Sequence, residues 1–358
     1  MGVRRALWTW LPRVAMLWAA WIPLLGETGR LAAQEALRGP PDGTVNVAVG
    51  LHLIDIFDIN EDEKTFEFEG TLTMHWKDPR LSFDPSAVGS EEKVYQGDYQ
   101  FAEVFNGWWP PLVLRNGSGR YERQGVVIRI QRDGSVTYVE VMQAAAELTL
   151  DLRQIPFDQQ QFEIAFSVLG FGADRVRLMP DTAASGVGET TLLQWQLGNV
   201  ETAVFTDDAV YAGHRSNPAA AIVFSYPAKR SPLYLLRIVV FPIMILVALS
   251  WSVFWMDSES LGSRMDITFI AILTIVAFQI VVSDKIPRIP YFTIMSSFMY
   301  LSYLALAASV LVNLRVAALD KRTEVAAGDR LDRTCRWLFP VGYLACLGLT
   351  VGYYLLMY

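Results

Sequence analysis

The spacing of hydrophobic and polar residues divides the chain into two parts. Between about residues 43 and 230, apolar residues occupy alternate positions over short stretches, most clearly at 45–53 and 66–76. Alternation with a period of two is typical of strands that bury one face. Asp133-Gly134, between two such stretches, indicates a hairpin turn. The region 43–230 is therefore predicted to form an all-β, immunoglobulin-like sandwich.

The remaining part, residues 231–358, contains four apolar stretches. Their predicted bounds are about 233–256, 264–283, 289–314 and 334–357. A helix needs roughly 20 apolar residues to cross about 30 Å of hydrocarbon. We therefore predict a transmembrane four-helix bundle that follows the sandwich. A hydrophobic fraction of 52% and a mean hydropathy of +0.27 agree with this assignment.

Residues 1–33 have the features of a secretory signal peptide. Arg4, Arg5 and Arg13 precede an apolar run at 14–25 that is too short to span a membrane, and small residues follow it. An uncleaved anchor is the alternative. Lys and Arg are concentrated at 315–336, and such loops face the cytoplasm. The sandwich is therefore expected on the outer side of the membrane.

Composition argues against several classes of chemistry. A net charge of −7 argues against a nucleic-acid partner. The two cysteines, Cys335 and Cys346, lie at or in the last apolar stretch, so the exported region can form no disulfide. The sequence has no phosphate-binding loop, nucleophile elbow or metal-spaced Cys/His cluster. We expect neither an enzyme nor a bound cofactor or metal ion.

One stripe of the second apolar stretch is acidic at both ends and apolar between them. At helical steps of three and four residues it comprises Asp266, Ile270, Leu273, Ala277, Ile280 and Asp284. A charge in hydrocarbon is costly unless water or a partner reaches it. Repeated around a symmetry axis, the stripe would line a pore, with a gate at Leu273 and Ile280 that closes by excluding water. A ring of Asp266 carboxylates would favour cations.

A simpler interpretation of this stripe is open at this point. Apolar residues at such spacings usually pack in the core of a helical bundle. The residues between Asp266 and Asp284 would then contact other helices of the same subunit. The carboxylate on the same stripe favours the pore.

Four segments, at residues 108–114, 150–162, 230–234 and 287–291, share their pattern with one family. Together they resemble the pentameric ligand-gated ion channels (the Cys-loop receptors), and especially the prokaryotic members, which lack the loop cysteines. Leu148 and Phe162 stand where the eukaryotic cysteines would be. Pro111 replaces an acidic residue of the family pattern, and Asp266 lies inside the pore helix rather than just before it.

The resemblance implies a homopentamer. Five extracellular sandwiches would form a ring above five four-helix bundles, and the second helix of each would line the axis. The implied partners are permeating cations, membrane lipid and a small-molecule or proton agonist. The implied location is the bacterial inner membrane, with the N-terminal domain in the periplasm.

The resemblance also implies residues that couple the two domains. Glu61, Asp158 and Arg230 match family positions that form a carboxylate–arginine cluster at the membrane boundary. Pro156 and Phe157 would press on the loop that contains Pro287 and would transmit the movement of the sandwich to the pore.

The ligand site implied by the resemblance lies between neighbouring sandwiches. In the family it holds amines in an aromatic cage through cation–π contacts. Here the cage is incomplete, and the candidates are Arg115, Phe171, Phe205 and Tyr211. An anionic or weakly polar ligand, with Arg115 as the counter-charge, is compatible with this set. Protons are equally compatible.

Two other functions were weighed against a channel. A non-conducting, membrane-anchored periplasmic sensor would need a way to signal inward, and the loops between spans are too short for an intracellular domain. A secondary transporter would usually show an internal repeat, which four spans without one do not provide.

Overall fold

The computed structural model describes residues 39–207, 217–256, 261–283, 289–322 and 325–357. The predicted signal peptide, Tyr211, Asp284 and Pro287 lie outside these residues. The described residues form a β domain that is followed by four long helices.

Two sheets build the β domain. Its strands are β1 (Val45–Asn60), β2 (Thr65–Lys77), β3 (Glu92–Gln96), β4 (Leu112–Leu114), β5 (Gly117–Gln131), β6 (Ser135–Glu147), β7 (Gln159–Val168), β8 (Val176–Pro180), β9 (Gly186–Val187), β10 (Trp195–Leu197), β11 (Glu201–Asp207) and β12 (Ala219–Arg230). Within the described residues, the first sheet has the order β3-β5-β6-β2-β1-β8, with β9 also on β1. The second has the order β10-β12-β7-β4, with β11 also on β12. The predicted β-sandwich is confirmed.

The two sheets share one apolar core. Along β2 every second residue is buried, from Phe66 to Trp76, as the alternation predicts. Phe66 of the first sheet stacks on Phe162 of the second, with ring centroids 5.2 Å apart. Leu148 is buried in the same core. Apolar packing therefore occupies the two positions that the resemblance matches to the loop cysteines of the eukaryotic receptors.

The predicted hairpin joins β5 to β6. Ile130 pairs with Val136, and Gly134 in the turn has a φ of 81°. This left-handed conformation suits glycine, which has no Cβ to clash. A Cβ on Gly134 would also overlap the carbonyl group of Asp78. Backbone conformation and close packing both require glycine here.

Four helices in the described residues are long and apolar enough to cross a membrane. They are α1 (Leu233–Trp255), α2 (Leu261–Ser283), α3 (Ile294–Lys321) and α4 (Val325–Met357). The predicted order of a sandwich followed by a four-helix domain is confirmed.

The predicted bounds of the third span are wrong at its start. We predicted residue 289, whereas α3 begins at Ile294. Thr293 caps the helix: its hydroxyl accepts a hydrogen bond from the Ser296 N–H, and the Ser296 hydroxyl accepts one from the Thr293 N–H. This reciprocal pair is a capping box, which sets a helix start more strongly than hydrophobicity does.

The inner ends of the last two helices extend beyond their apolar stretches. α3 continues to Lys321 rather than residue 314, and α4 begins at Val325 rather than residue 334. Similarly, α2 begins at Leu261 rather than residue 264. The apolar length of a segment reports the part inside hydrocarbon, while Ala, Lys and Arg prolong the helix into water. Most of the loop predicted at 315–336 is therefore helical.

The β domain is attached to the helices through the loop before β7. Leu152 and Ile155 of this loop are buried in the apolar core of the bundle. The Arg153 carbonyl accepts a hydrogen bond of 3.0 Å from the N–H of Ile294, the first residue of α3. The Leu152 N–H donates to the Tyr291 hydroxyl at 3.2 Å. The loop is thus part of both domains.

Candidate functional site

The two sides of α2 carry different residues. Four residues on the side that faces the other helices are buried: Arg264, Thr268, Ala271 and Ile275. The predicted pore-lining residues of the described chain lie on the opposite side and are exposed: Asp266, Ile270, Leu273, Ala277 and Ile280. Leu273 and Ile280 are 71% and 65% exposed. The stripe does not pack into its own bundle, so the simpler interpretation does not fit.

Asp266 distinguishes this stripe from a surface that contacts lipid alone. Exposed leucine and isoleucine would suit hydrocarbon, but a carboxylate there would be costly without water or a partner. Thr274 and Gln279 of α2 have hydrogen-bond partners within the subunit. The Thr274 hydroxyl donates to the Ile270 carbonyl at 2.7 Å, and Gln279 accepts a bond of 2.7 Å from the Tyr303 hydroxyl of α3.

The predicted coupling residues Glu61, Asp158 and Arg230 lie in contact. They come from the β1–β2 turn, the residue immediately before β7 and the end of β12. The Arg230 guanidinium is 2.7 Å from Glu61 Oε1, and its Nε and Nη2 are 2.8 Å and 3.2 Å from the two Asp158 oxygens. Its Cζ atom lies 4.2 Å from the centroid of the Trp195 ring. Arg230 and Asp158 are both buried.

The charge of Arg230 is stabilised by this arrangement. Burial alone would lower the pKa of the guanidinium. The hydrogen bonds that Arg230 donates to Asp158, together with the negative charges of Asp158 and Glu61, outweigh burial, so the pKa of Arg230 is raised. The cluster therefore holds one permanent positive charge between two carboxylates, and Gln160 donates a further bond of 2.7 Å to Asp158.

Pro156 and Phe157 lie in the loop before β7, Pro156 buried and Phe157 half-buried. The contacts of that loop with the segment before α3 are made by neighbouring residues. Leu152 bonds the Tyr291 hydroxyl, and the Arg153 guanidinium lies 5.4 Å from the Tyr291 ring centroid. The sequence motif identified this loop, but it did not identify Leu152 and Arg153 as the residues that contact Tyr291.

The ligand-site candidates are only partly brought together. Arg115 Nε lies 3.1 Å from Asp207 Oδ2, and its guanidinium lies 5.6 Å from the Phe205 ring centroid. Phe171 packs edge-on against Trp108, with centroids 6.1 Å apart. The buried Asp207 offsets the positive charge that we expected Arg115 to offer an anionic ligand. Arg115 is 44% exposed and still reaches solvent.

A buried carboxylate in the first sheet was missed by sequence reasoning. Glu140 of β6 accepts hydrogen bonds from the hydroxyl of Tyr121 at 2.6 Å, from the hydroxyl of Tyr138 and from Arg123 Nε at 3.1 Å. Burial and the Glu140 charge raise the pKa of both tyrosines, so their hydroxyls stay protonated. A groove of about 430 Å³, also lined by Trp109, borders this cluster.

A signal for Glu140 was present in the sequence. In β6 the buried positions alternate through Val136, Tyr138, Glu140 and Met142. Glu140 occupies one of the core-facing positions of this alternation, where a buried carboxylate requires hydrogen-bond partners. Those partners lie on β5 and β6 in a register that the sequence does not state.

Two protein-family models and a known ion channel match this chain. A family model described as the neurotransmitter-gated ion-channel ligand binding domain matches residues 36–220, and one described as the transmembrane region matches residues 239–327. A proton-gated ion channel of Gloeobacter violaceus is 25% identical over 350 residues, which cover 96% of this chain and 93% of the relative.

Two acetylcholine receptor beta subunits are also similar. The subunit of Xenopus laevis is 26% identical over 69% of this chain, and that of Rattus norvegicus is 23% identical over 68%. The chain spans 50% of the length of each. The first family model covers more than half of the chain, and the resemblance read from the four segments is confirmed. The chain is a multi-pass membrane protein that belongs to the neurotransmitter-gated ion-channel family, whose members are ligand-gated channels and not enzymes.

Proposed function

We propose that five identical copies of this chain form a cation-selective channel, opened by a small ligand or by protons acting on the extracellular domain. The observation that carries the proposal is the exposed stripe of α2, with Asp266 at one end and Leu273 and Ile280 beyond it. Arranged around an axis, five such stripes make a continuous pore wall. The number five comes from the family.

The selectivity of this pore follows from its charge. Five Asp266 carboxylates around a narrow axis concentrate cations and repel anions, because the surrounding protein focuses their field. In the sequence the stripe continues to Asp284, which would add negative charge at the outer end. Permeating ions are therefore cations.

The gate is apolar. Rings of Leu273 and Ile280 exclude water when the pore is narrow, and an ion cannot pass a dry constriction without losing its hydration. A small outward movement or rotation of α2 wets the constriction and opens the channel. Ile270 extends the narrow zone toward Asp266.

The β domain moves the helices through two connections. The first is the buried cluster of Arg230 with Glu61 and Asp158, which lies at the entry to α1. The second is the loop that buries Leu152 and Ile155 in the bundle and bonds the start of α3. Pro156, Phe157 and Pro287 act within this second connection.

The agonist acts on the extracellular domain, either as a small molecule at the interface of neighbouring sandwiches or as protons. Arg115, Phe171, Phe205 and Tyr211 are the candidates for the interface. The relative from Gloeobacter violaceus is described as proton-gated, which favours testing protons first. The channel lies in the bacterial inner membrane with the β domain in the periplasm.

Bilayer recording with a constitutively open variant tests this function without knowledge of the agonist. Purified full-length protein and its Leu273→Ser variant are compared in planar bilayers, while pH on the β-domain side is lowered. The variant should conduct without stimulus, because a polar ring wets the constriction. Both proteins should have the mass of a pentamer in detergent.

Absence of current from both proteins at every pH, with the pentamer intact, would contradict the channel and favour the non-conducting sensor. A complex of another size would contradict the homopentamer.

A further inference from the structure

A buried ion pair joins α2 to α4 at the end of the bundle far from the β domain. Arg264, in the first turn of α2, is 1% exposed. Its Nη2 lies 2.5 Å from Asp332 Oδ2 and its Nη1 lies 3.4 Å from Asp332 Oδ1. Asp332 of α4 is also buried. The proposed pore makes no use of either residue.

The end of α1 is held by the same group. Arg264 Nη2 also donates to the Met256 carbonyl at 2.5 Å. Arg336, one turn after Asp332 on α4, donates from Nε to the Phe254 carbonyl at 2.8 Å. The last carbonyls of a helix lack partners within it, and cations there are favourable. Arg264, Asp332 and Arg336, here termed the inner clamp, thus tie α1, α2 and α4 together.

The inner clamp determines which way Asp266 points. Successive residues of an α-helix are about 100° apart around its axis, so Arg264 and Asp266 lie about 200° apart, on nearly opposite sides. Thr268, one turn after Arg264, is also buried, and its hydroxyl donates to the Arg264 carbonyl. With Arg264 turned toward Asp332, Asp266 is turned out of the bundle.

Rotation of α2 would separate this pair. An arginine that loses its carboxylate while it remains buried is strongly unfavourable. The guanidinium also makes a two-pronged contact, which fixes orientation as well as distance. The inner clamp therefore resists rotation of α2 at the level of Asp266.

We propose that Arg264 is a positioning residue for ion selectivity, which through Asp332 fixes the rotation of α2 so that Asp266 faces the pore. This inference rests on the proposed function. Arg264 itself does not reach the exposed stripe. Its loss should nevertheless change ion flow in the same way as loss of the Asp266 charge.

Single-channel recording of full-length variants tests this role. Asp266→Asn gives the conductance of a pore without its carboxylate ring. Asp332→Asn and Arg264→Gln should lower conductance and cation-to-anion permeability toward the values of Asp266→Asn. Adding Asp266→Asn to either variant should cause no further fall in conductance.

The conductance of Arg264→Lys should lie between that of the unmodified protein and that of Arg264→Gln, because lysine lacks the two-pronged contact. Arg333→Gln, at an exposed position next to Asp332, is the control and should leave conductance unchanged.

Cysteine modification reports the rotation directly. In a Cys346→Ser background, Asp266→Cys should react quickly with a charged thiol reagent, and Ile267→Cys, at a half-buried position, slowly. When Asp332→Asn is added, the two rates should converge. A merely structural ion pair would lower the amount of assembled pentamer and leave the ratio of rates unchanged.

Two results separate this role from the pore itself. If Asp266→Asn lowers conductance while the Arg264 and Asp332 variants alter neither conductance nor the rates, the positioning role is wrong and the pore stands. If Asp266→Asn has no effect on conductance, the proposed pore fails first. If the Asp332→Asn variant does not assemble, the Arg264→Lys variant provides the test. Unchanged conductance and unchanged modification rates in its pentamer would overturn the positioning role of Arg264.

Discussion

Arg230 Nη1 lies 2.7 Å from Glu61 Oε1, which joins the last residue of β12 to the turn between β1 and β2. Three residues later the chain enters α1 at Leu233. The proposed coupling therefore carries movement of the β1–β2 turn to the first membrane helix through this ion pair. Asp158 holds the other edge of the same guanidinium.

Arg230→Ala should impair the response to stimulus. The buried Asp158 and the half-buried Glu61 would be left without their counter-charge, at a cost of about 3–5 kcal/mol. Arg230→Lys should restore part of the response, because lysine cannot contact both carboxylates in the same way. The measurement is the stimulus that gives half-maximal current in a double-mutant cycle between Glu61 and Arg230. Strict additivity would mean that the pair does not couple the domains.

An exposed ion pair provides the control for that cycle. Lys77 Nζ lies 3.2 Å from Asp133 Oδ2, with side chains 61% and 50% exposed. Exposed pairs contribute about 0–1 kcal/mol. Lys77→Ala should leave the response to stimulus unchanged.

Leu273→Ser should shift the channel toward the open state. A ring of hydroxyls wets the constriction and lowers the barrier to water. Phe278→Ser, outside the exposed stripe, should not have this effect. Current in the absence of stimulus is the measurement. Opening by Phe278→Ser with no change in Leu273→Ser would mean that α2 turns Phe278, and not Leu273, toward the pore axis.

Tyr138→Phe should destabilise the β domain. It removes one hydroxyl donor from the buried Glu140 carboxylate, and an acceptor left unsatisfied costs about 1–3 kcal/mol. Tyr121→Phe should cost less, because water can replace its hydroxyl at a residue that is 45% exposed. The melting temperature of the detergent-solubilised protein compares them. A larger fall for Tyr121→Phe would show that burial does not set the strength of these bonds.

Gly134→Ala should also lower the melting temperature. A left-handed conformation costs a residue with a Cβ roughly 1–2 kcal/mol, and the Cβ would press on the Asp78 carbonyl. Gly125→Ala in the neighbouring strand is the control, since its Cβ would meet no atom within 4 Å. Equal melting temperatures for the two variants would contradict the role assigned to the turn.

The alternation of apolar residues predicted much of the fold. In β2 and in the hairpin of β5 and β6, the residues of one face are buried as the period of two requires. A helical period likewise selected the stripe of α2 that the structure leaves exposed. The spacing of apolar residues shows which face of a strand or helix is turned toward the core, so these features could be predicted from the sequence.

The roles of residues that contact partners far away in the sequence could not be predicted from the spacing of apolar residues. Arg264 lies near a short polar linker and Asp332 lies in a charged segment, so each is typical of a solvated surface. Their contact depends on how α2 and α4 pack. The inner ends of α3 and α4 were predicted wrongly for a different reason. Hydropathy indicates which residues lie in hydrocarbon, and it does not indicate how far the helix continues into water.

The orientation of Asp266 toward the conducting axis is tested most directly by the reversal potential in a salt gradient. Leu273→Ser serves as background, so that current flows whatever the agonist. With Asp266 present, the reversal potential should lie near the equilibrium potential of the cation. Asp266→Asn should move it toward zero, and Asp266→Lys should move it toward the equilibrium potential of the anion. A reversal potential that is the same in all three proteins, or that indicates anion flow with Asp266 intact, would contradict the account.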